Sequence, residues 1–145
     1  VLITGIIVSI GLAIHNIPEG IAIGAGYRES MRLGLSIAIA ICMHDVPEGL
    51  SMAMPLKFGG MKKWKIMMYV ILSGIATGIG ALIGGVVGGI SEEVVAMCLS
   101  FASGTMLYIV SGELIPEYNR LYQGRWSVLG CLLGFITGLL VAIVC

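Results

Sequence analysis

Long apolar stretches, separated by short polar connections, make up the whole of the chain. Each stretch provides about the 20 residues that an α-helix needs to cross the hydrocarbon core of a bilayer. Most of the charged residues lie in the connections. The pattern predicts an all-α membrane protein, a polytopic bundle of five transmembrane helices. The predicted spans cover residues 1–27, 33–56, 64–90, 94–116 and 126–145.

The composition agrees with a membrane protein and gives no sign of a nucleic-acid partner. Of the 145 residues, 58% are hydrophobic and 11% are charged, whereas a soluble domain carries about 25% charged residues. The formal net charge is zero, so no nucleic-acid binding is expected. No linker or low-complexity segment divides the chain, and we treat residues 1–145 as one domain.

The positive charges are divided unequally between the two predicted sides of the membrane. One side carries Lys57, Lys62, Lys63, Lys65, Arg120 and Arg125. The other side carries Arg28 and Arg32. Because cytoplasmic loops hold the excess of Lys and Arg, we expect the Val1 side to be cytoplasmic and the Cys145 side to be extracellular or lumenal.

The chain begins inside an apolar run, without a methionine or a basic flank. A secretory signal carries such a flank, so none is predicted here. We expect the chain to be a piece of a longer protein, cut just before a membrane span.

One short motif occurs twice, in the middle of the first two spans, as HNIPEG at residues 15–20 and HDVPEG at residues 44–49. Ionisable side chains at bilayer depth are costly and usually face a cavity or an ion path. Their repetition in the same order therefore predicts a functional site that binds a metal ion. The candidate metal ligands are His15, Asn16, Glu19, His44, Asp45 and Glu48.

The spacing within each motif fits a shared metal site. His15 and Glu19 are four residues apart and stack on one helix face, and His44 and Glu48 repeat that arrangement. Imidazole and carboxylate groups suit zinc and related first-row divalent ions. A closed structural zinc site would instead favour several cysteines, and the four cysteines here are scattered. The ligand set therefore favours a site that releases its ion.

Three further features of the sequence lead to structural predictions. Pro18 and Pro47 each remove a helical hydrogen bond, so both spans are expected to kink or open beside the ligands. Glu113 is either an interfacial charge or part of an exit path. Glycines at helical spacing in the third and fifth spans predict close helix packing. These glycines are Gly74, Gly78, Gly80, Gly84, Gly88, Gly130, Gly134 and Gly138.

At the doubled motif the chain resembles the ZIP (Zrt-, Irt-like protein) family of divalent-metal transporters, whose hallmark is the pair HN-x-PEG and H/E/Q-D-x-PEG. The segment ELIPE at residues 113–117 is similar to the seventh helix of that family. The resemblance covers the whole chain and implies an eight-helix protein, of which these spans would be helices four to eight. It also implies a homodimer, metal movement into the cytoplasm and an alternating-access mechanism.

The resemblance further implies roles for the site residues. The implied primary site consists of His15, Glu19, His44 and Glu48. Asn16 and Asp45, sharing Glu48, would flank a second site. Some members complete that second site with a glutamate within the pattern SGLAEP, whereas residues 73–78 here read SGIATG, with Thr77 in place of the acid. We therefore expect one ion in the primary site, with Asn16 and Asp45 as a weaker neighbour.

Zinc is the expected transported ion, because a nitrogen and oxygen site prefers zinc to iron and manganese. Fe²⁺ is second, and Mn²⁺ and Cd²⁺ stay open. No prosthetic group is expected, and the plasma membrane is the expected location.

The alternatives are an intramembrane metal-dependent hydrolase, a metal sensor and a proton channel. A metalloprotease usually carries HExxH on one helix, whereas the spacing here is H-x₃-E and the hydrolase motif GxSxG is absent. We therefore predict that the chain is not an enzyme. A hydrolase would retain its metal, whereas a transporter must exchange it.

Overall fold

The structure, a computed structural model, describes residues 1–87, 91–122 and 124–144. The predicted ends of the third and fifth spans, at residues 90 and 145, and the predicted packing of Gly88 lie outside the described residues. Every regular element in the described ranges is helical. The helices are α1 (Leu2–Glu29), α2 (Met31–Phe58), α3 (Lys63–Val86), α4 (Glu92–Tyr108), a π-helix (Ile109–Leu114), α5 (Ile115–Leu121) and α6 (Trp126–Val144).

The helices confirm the predicted all-α membrane class. Within the described residues, four helical units are long and apolar enough to cross a membrane, and α4, the π-helix and α5 together form one of them, Glu92–Leu121, of 30 residues. The apolar part described in α6, Val128–Leu140, is shorter. Each predicted span therefore overlaps one helical unit, with α6 corresponding to the fifth span.

A single residue, Ser30, turns the chain from α1 into α2. Its backbone is extended, which ends α1, and its side-chain oxygen accepts a hydrogen bond from the backbone N–H of Leu33 at 3.1 Å, which caps α2. Serine is a favoured residue at such a cap because it satisfies an otherwise free N–H group. The two helices form an antiparallel hairpin in which His15 and His44 lie at similar distances along the chain from Ser30, so both motifs lie at one level.

The central helix of the bundle is α1, which packs against α2, α3 and α4. Half of the residues in its most apolar stretch are buried, compared with 22% or less in the corresponding stretches of the other three membrane-spanning units. Its apolar side chains join a core with residues from α2, α3 and the π-helix. That core consists of Val8, Leu12, Met52, Leu56, Ile66 and Ile109. The prolines within α1 and α2 do not divide either helix, since both are continuous through them.

Glycines allow α1 and α3 to approach until their backbones touch. A methyl group at Gly20 would overlap backbone atoms of Thr77 and Gly80, and one at Gly80 would lie 3.0 Å from the backbone nitrogen of Ile21. Gly24 and Gly84 repeat this contact one turn further along. The predicted glycine packing therefore holds for Gly80 and Gly84. For Gly74, Gly78 and the three glycines of α6 it stays a prediction, because an added methyl group there would meet no described atom within 4 Å.

This difference between two glycines of α3 gives a stability prediction. Gly80→Ala should lower the free energy of unfolding by about 1–3 kcal/mol, because the added methyl group overpacks a backbone contact. Gly78→Ala should leave stability unchanged or raise it by up to about 1 kcal/mol, because alanine is the better helix former in open space. Thermal unfolding of the purified full-length protein in detergent measures both. Equal melting temperatures for the two variants would contradict the α1–α3 packing.

Candidate metal centre

On α1, His15 and Glu19 lie one turn apart and face the interior of the bundle. Their exposed fractions are 4% and 5%, and the Nε2 atom of His15 lies 3.2 Å from Oε1 of Glu19. Both residues point the same way because positions four apart share a helix face. The first motif thus contributes one nitrogen and one carboxylate to a buried point.

The second motif approaches the same point from α2. The Nε2 atom of His44 lies 2.9 Å from Oε1 of Glu19, and Oε1 of Glu48 lies 3.0 Å from Nε2 of His15. Glu48 is buried, whereas the His44 side chain is 44% exposed. The structure therefore brings together all four residues of the implied primary site, and it leaves one side of the cluster open at His44.

A contact from α4 orients the His15 ring. Its Nδ1 atom lies 2.8 Å from the backbone carbonyl oxygen of Ala102. A carbonyl oxygen only accepts hydrogen bonds, so Nδ1 carries a proton and Nε2 is the atom that faces Glu19 and Glu48. An outer hydrogen bond of this kind fixes the tautomer of metal-binding histidines. The hydroxyl of Thr105 donates to the same carbonyl oxygen at 2.7 Å.

Sequence reasoning did not find these α4 groups. The Ala102 contact is made by a backbone carbonyl, which every residue carries, so no side-chain pattern marks it. Thr105, a polar residue within the fourth apolar span, is the only local sign of the contact. Its position near His15 depends on how α4 packs against α1.

The convergent atoms form an electron-rich cluster. When His15 is neutral with its proton on Nδ1, its Nε2 lone pair faces two carboxylates, and such acceptor atoms repel one another unless a cation or a proton lies between them. His15, Glu19 and His44 each offer one ligand atom within 4.8 Å of the others. Glu48 contacts this group on the His15 side.

The spacing of these atoms is close to that of a tetrahedral zinc site. Zinc binds nitrogen and oxygen ligands at about 2.0–2.1 Å, which separates neighbouring ligand atoms by about 3.3–3.4 Å. The three shortest separations here are 3.2, 3.0 and 2.9 Å. Each of these three pairs of atoms would need to move apart by only a few tenths of an ångström to match that spacing.

Asn16 and Asp45, the remaining predicted ligands, lie beside this cluster. The Asp45 Oδ1 atom is 3.9 Å from His44 Nε2 and has no hydrogen-bond partner among the described residues. The Asn16 amide nitrogen donates to Ser73 of α3. Together with Glu48, both residues line a small cavity of about 110 Å³ between α1, α2 and α3. The six predicted residues therefore divide into a cluster of four and a neighbouring pair.

A larger cavity reaches the open side of the cluster. It has a volume of about 580 Å³ and runs between α1, α2, α4 and the π-helix. Its lining includes the four cluster residues together with Ser103 and Met106 of α4. π-Helical turns inside α-helices are frequent at functional sites. The cavity gives the cluster a route to the exterior that avoids the packed core.

Other residues considered from the sequence lie outside the cluster. Thr77 is half-buried, and its hydroxyl oxygen has no hydrogen-bond partner among the described residues. Glu113 lies half-buried within the π-helix. Cys42 is exposed. None of the three lines the two cavities beside the cluster.

The chain is similar to several proteins that are named zinc transporters. The profile of a family described as "ZIP Zinc transporter" matches residues 1–145. The chain is 35% identical over 134 residues to the zinc transporter ZIP11 of Xenopus tropicalis, covering 88% of this chain and 40% of that protein. It is 37% identical over 135 residues to the zinc transporter ZupT of Akkermansia muciniphila, covering 92% and 50%.

A third relative is the zinc transporter GufA of Myxococcus xanthus, which is 32% identical over 131 residues, covering 90% of this chain and 52% of that protein. The chain thus spans about half or less of the length of these relatives. No solved structure matches it significantly.

The geometry predicts which side chains control zinc affinity. His44→Ala should weaken Zn²⁺ binding at least about 100-fold, since loss of an outer-shell partner alone costs about 10–100-fold. Cys42→Ala, two positions away and exposed, should leave the affinity unchanged. Calorimetric titration of the purified full-length protein with Zn²⁺ measures both constants. An equal effect of the two substitutions would show that the cluster is not the binding site.

Proposed function

The chain belongs to the ZIP zinc transporter family, and from that premise we propose that it forms part of a transporter that carries a divalent metal ion, zinc first, across a membrane. In this proposal His15, Glu19, His44 and Glu48 hold the ion. The observation that carries it is the convergence of two imidazoles and two carboxylates, from two apolar helices, on one point. The names of the relatives, which are all zinc transporters, support the choice of ion.

The position of the cluster supports ion exchange over permanent retention. His15 and Glu19 are buried, whereas His44 is partly exposed and lines the larger cavity. An ion that enters this cavity meets His44, the exposed member of the cluster, before it reaches the three buried members. We propose that access to the ion alternates between the two sides of the membrane and that metal is delivered to the cytoplasm.

The backbone contact between α1 and α3 supports a division of the bundle into moving parts. Helices whose backbones touch at Gly20 and Gly80 cannot slide past each other without separating. We propose that α1 and α3 move together with α2, which is joined to α1 by the single residue Ser30. Such a moving unit would provide the alternating access that the resemblance implies.

The ligand chemistry orders the candidate ions. Imidazole nitrogen and carboxylate oxygen bind zinc more strongly than Fe²⁺ or Mn²⁺ at a site of equal geometry. We propose Zn²⁺ as the main substrate and Fe²⁺ as the second, with Mn²⁺ and Cd²⁺ as candidates to be measured. The small cavity beside Asn16 and Asp45 is proposed as a weaker neighbouring position, because Thr77 stands where some family members have an acid.

The remaining assignments concern the complete protein. We propose that residues 1–145 form the C-terminal part of a transporter domain and act with further helices of the same protein in a homodimer. The plasma membrane is the proposed location. The lysine-rich connection between α2 and α3 supports a cytoplasmic position for the Val1 side, since cytoplasmic loops carry the excess of positive charge.

Transport by the full-length protein is the direct test of this function. Cells that express it should take up Zn²⁺ in a saturable manner, and His44→Ala and Glu48→Ala should each abolish uptake because each removes a proposed ligand. Radioactive Zn²⁺ uptake, repeated with Fe²⁺, Mn²⁺ and Cd²⁺, measures both the activity and the order of preference.

The control for this test is Ser100→Ala at matched surface expression. Ser100 is exposed and its hydroxyl donates within α4 to the carbonyl oxygen of Ala96, so uptake should be unchanged. If His44→Ala and Glu48→Ala transported at the rate of this control, the doubled motif would not be the path. The hydrolase and sensor alternatives would then have to be examined.

The proposed orientation has a separate test. In a cysteine-free background, Lys62→Cys should react with a membrane-impermeant maleimide only after the cells are opened, because its loop is cytoplasmic. Arg32→Cys, at the opposite end of α2, should react in intact cells. The reverse pattern of labelling would invert the proposed direction of the helices.

A further inference from the structure

Ser73 lies on α3, opposite the first motif, and none of the proposed ligand assignments includes it. Its exposed fraction is 5%. The side-chain nitrogen of Asn16 donates to the hydroxyl oxygen of Ser73 at 3.0 Å and to its backbone carbonyl oxygen at 3.1 Å. One buried amide nitrogen therefore makes both of these hydrogen bonds to a single residue of the neighbouring helix.

This pair of contacts determines which way the Asn16 amide faces. A backbone carbonyl oxygen has no proton to give, so the atom next to it must be the amide nitrogen. The amide oxygen, Oδ1, consequently points away from α3. It is buried and has no hydrogen-bond partner among the described residues.

The space beside that oxygen is the small cavity of about 110 Å³. Asn16, Asp45, Glu48 and Ser73 contribute its polar lining. In the first three of these residues a buried oxygen, Asn16 Oδ1, Asp45 Oδ1 or Glu48 Oε1, has no hydrogen-bond donor among the described residues. Buried acceptors without donors call for a cation or an ordered water. An amide that turned its nitrogen into this cavity would present protons to a cation and repel it.

We propose that Ser73 is a positioning residue for transport. By accepting the amide protons of Asn16, it keeps the Asn16 oxygen directed into the cavity beside the metal cluster, and it thereby raises the affinity for the entering divalent cation. This inference rests on the proposed function and extends it to α3. Ser73 acts through Asn16 and is not itself a ligand.

The close approach of the two helices makes such a contact possible. Asn16 has a short side chain, and it reaches the backbone of α3 because Gly20, one turn further along α1, and Gly80 of α3 bring the helix backbones together. Ser9, another buried serine, bonds only within its own helix, to the carbonyl oxygen of Gly5 at 2.7 Å. Ser9 thus provides a matched control for the loss of a buried hydroxyl.

The test compares Zn²⁺ uptake by the full-length protein and its Ser73→Ala, Asn16→Ala and double variants at matched surface expression. Ser73→Ala should raise KM about fivefold, the factor expected for one net hydrogen bond, and leave the maximal rate within about twofold. In the Asn16→Ala background the same substitution should change KM by less than about twofold, since coupled residues are not additive. Ser9→Ala should leave KM unchanged.

Where a variant does not transport, calorimetric Zn²⁺ titration of the four purified proteins provides the same comparison of the single and double variants through their Zn²⁺ affinities. Ser73→Cys, which keeps the shape of serine but accepts hydrogen bonds weakly, replaces Ser73→Ala should the latter fail to reach the cell surface. It should raise KM in the same direction. A KM unchanged by both substitutions, or a fivefold effect that persists without Asn16, would overturn the proposal.

The outcome for Ser73 can be separated from that for the proposed function. Absence of saturable uptake by the unsubstituted protein would contradict the function itself. Normal uptake that is lost in His44→Ala, together with additive effects of Ser73→Ala and Asn16→Ala, would retain the function and reject only the positioning role.

Discussion

Burial of two carboxylates among apolar helices is the constraint on which the rest of the site depends. Glu19 and Glu48 have exposed fractions of 5% and 6%, and a buried charge is costly unless it is paired. Each carboxylate has an imidazole nitrogen within about 3 Å, so α1 and α2 must keep the register that holds both motifs at one level. Ser30 supports that register because it joins the two helices with a single-residue turn.

The surrounding helices complete the site in different ways. From α4, the Ala102 carbonyl oxygen orients the His15 ring. From α3, Ser73 holds the Asn16 amide, and the glycine contacts keep these two helices close. The open side of the cluster, by contrast, faces a cavity of about 580 Å³. A rigid, buried half and an accessible half are what a site needs in order to bind an ion and then release it.

Membership of the ZIP family and the local geometry contribute different parts of this picture. The family accounts for the doubled motif and for the membrane helices, and it places the chain among transporters. The geometry separates the six motif residues into a cluster of four and a pair beside a smaller cavity. Asp45 and Glu48 are the two acids that line this smaller cavity, and Thr77, which stands where some family members have an acid, does not line it.

The sequence by itself determined the helical membrane class, the approximate extent of the spans and the six polar residues of the motif, because apolar length and four-residue spacing are local properties of a helix. It could not determine which glycines pack within this chain, where Gly80 and Gly84 meet the backbone of α1 and Gly74 and Gly78 meet no described atom within 4 Å. It also missed Ala102 as a partner of His15, and it did not pair Ser73 with Asn16. Contacts between helices depend on their relative rotation and distance, and a backbone carbonyl leaves no mark in the sequence, so only the tertiary structure decided these points.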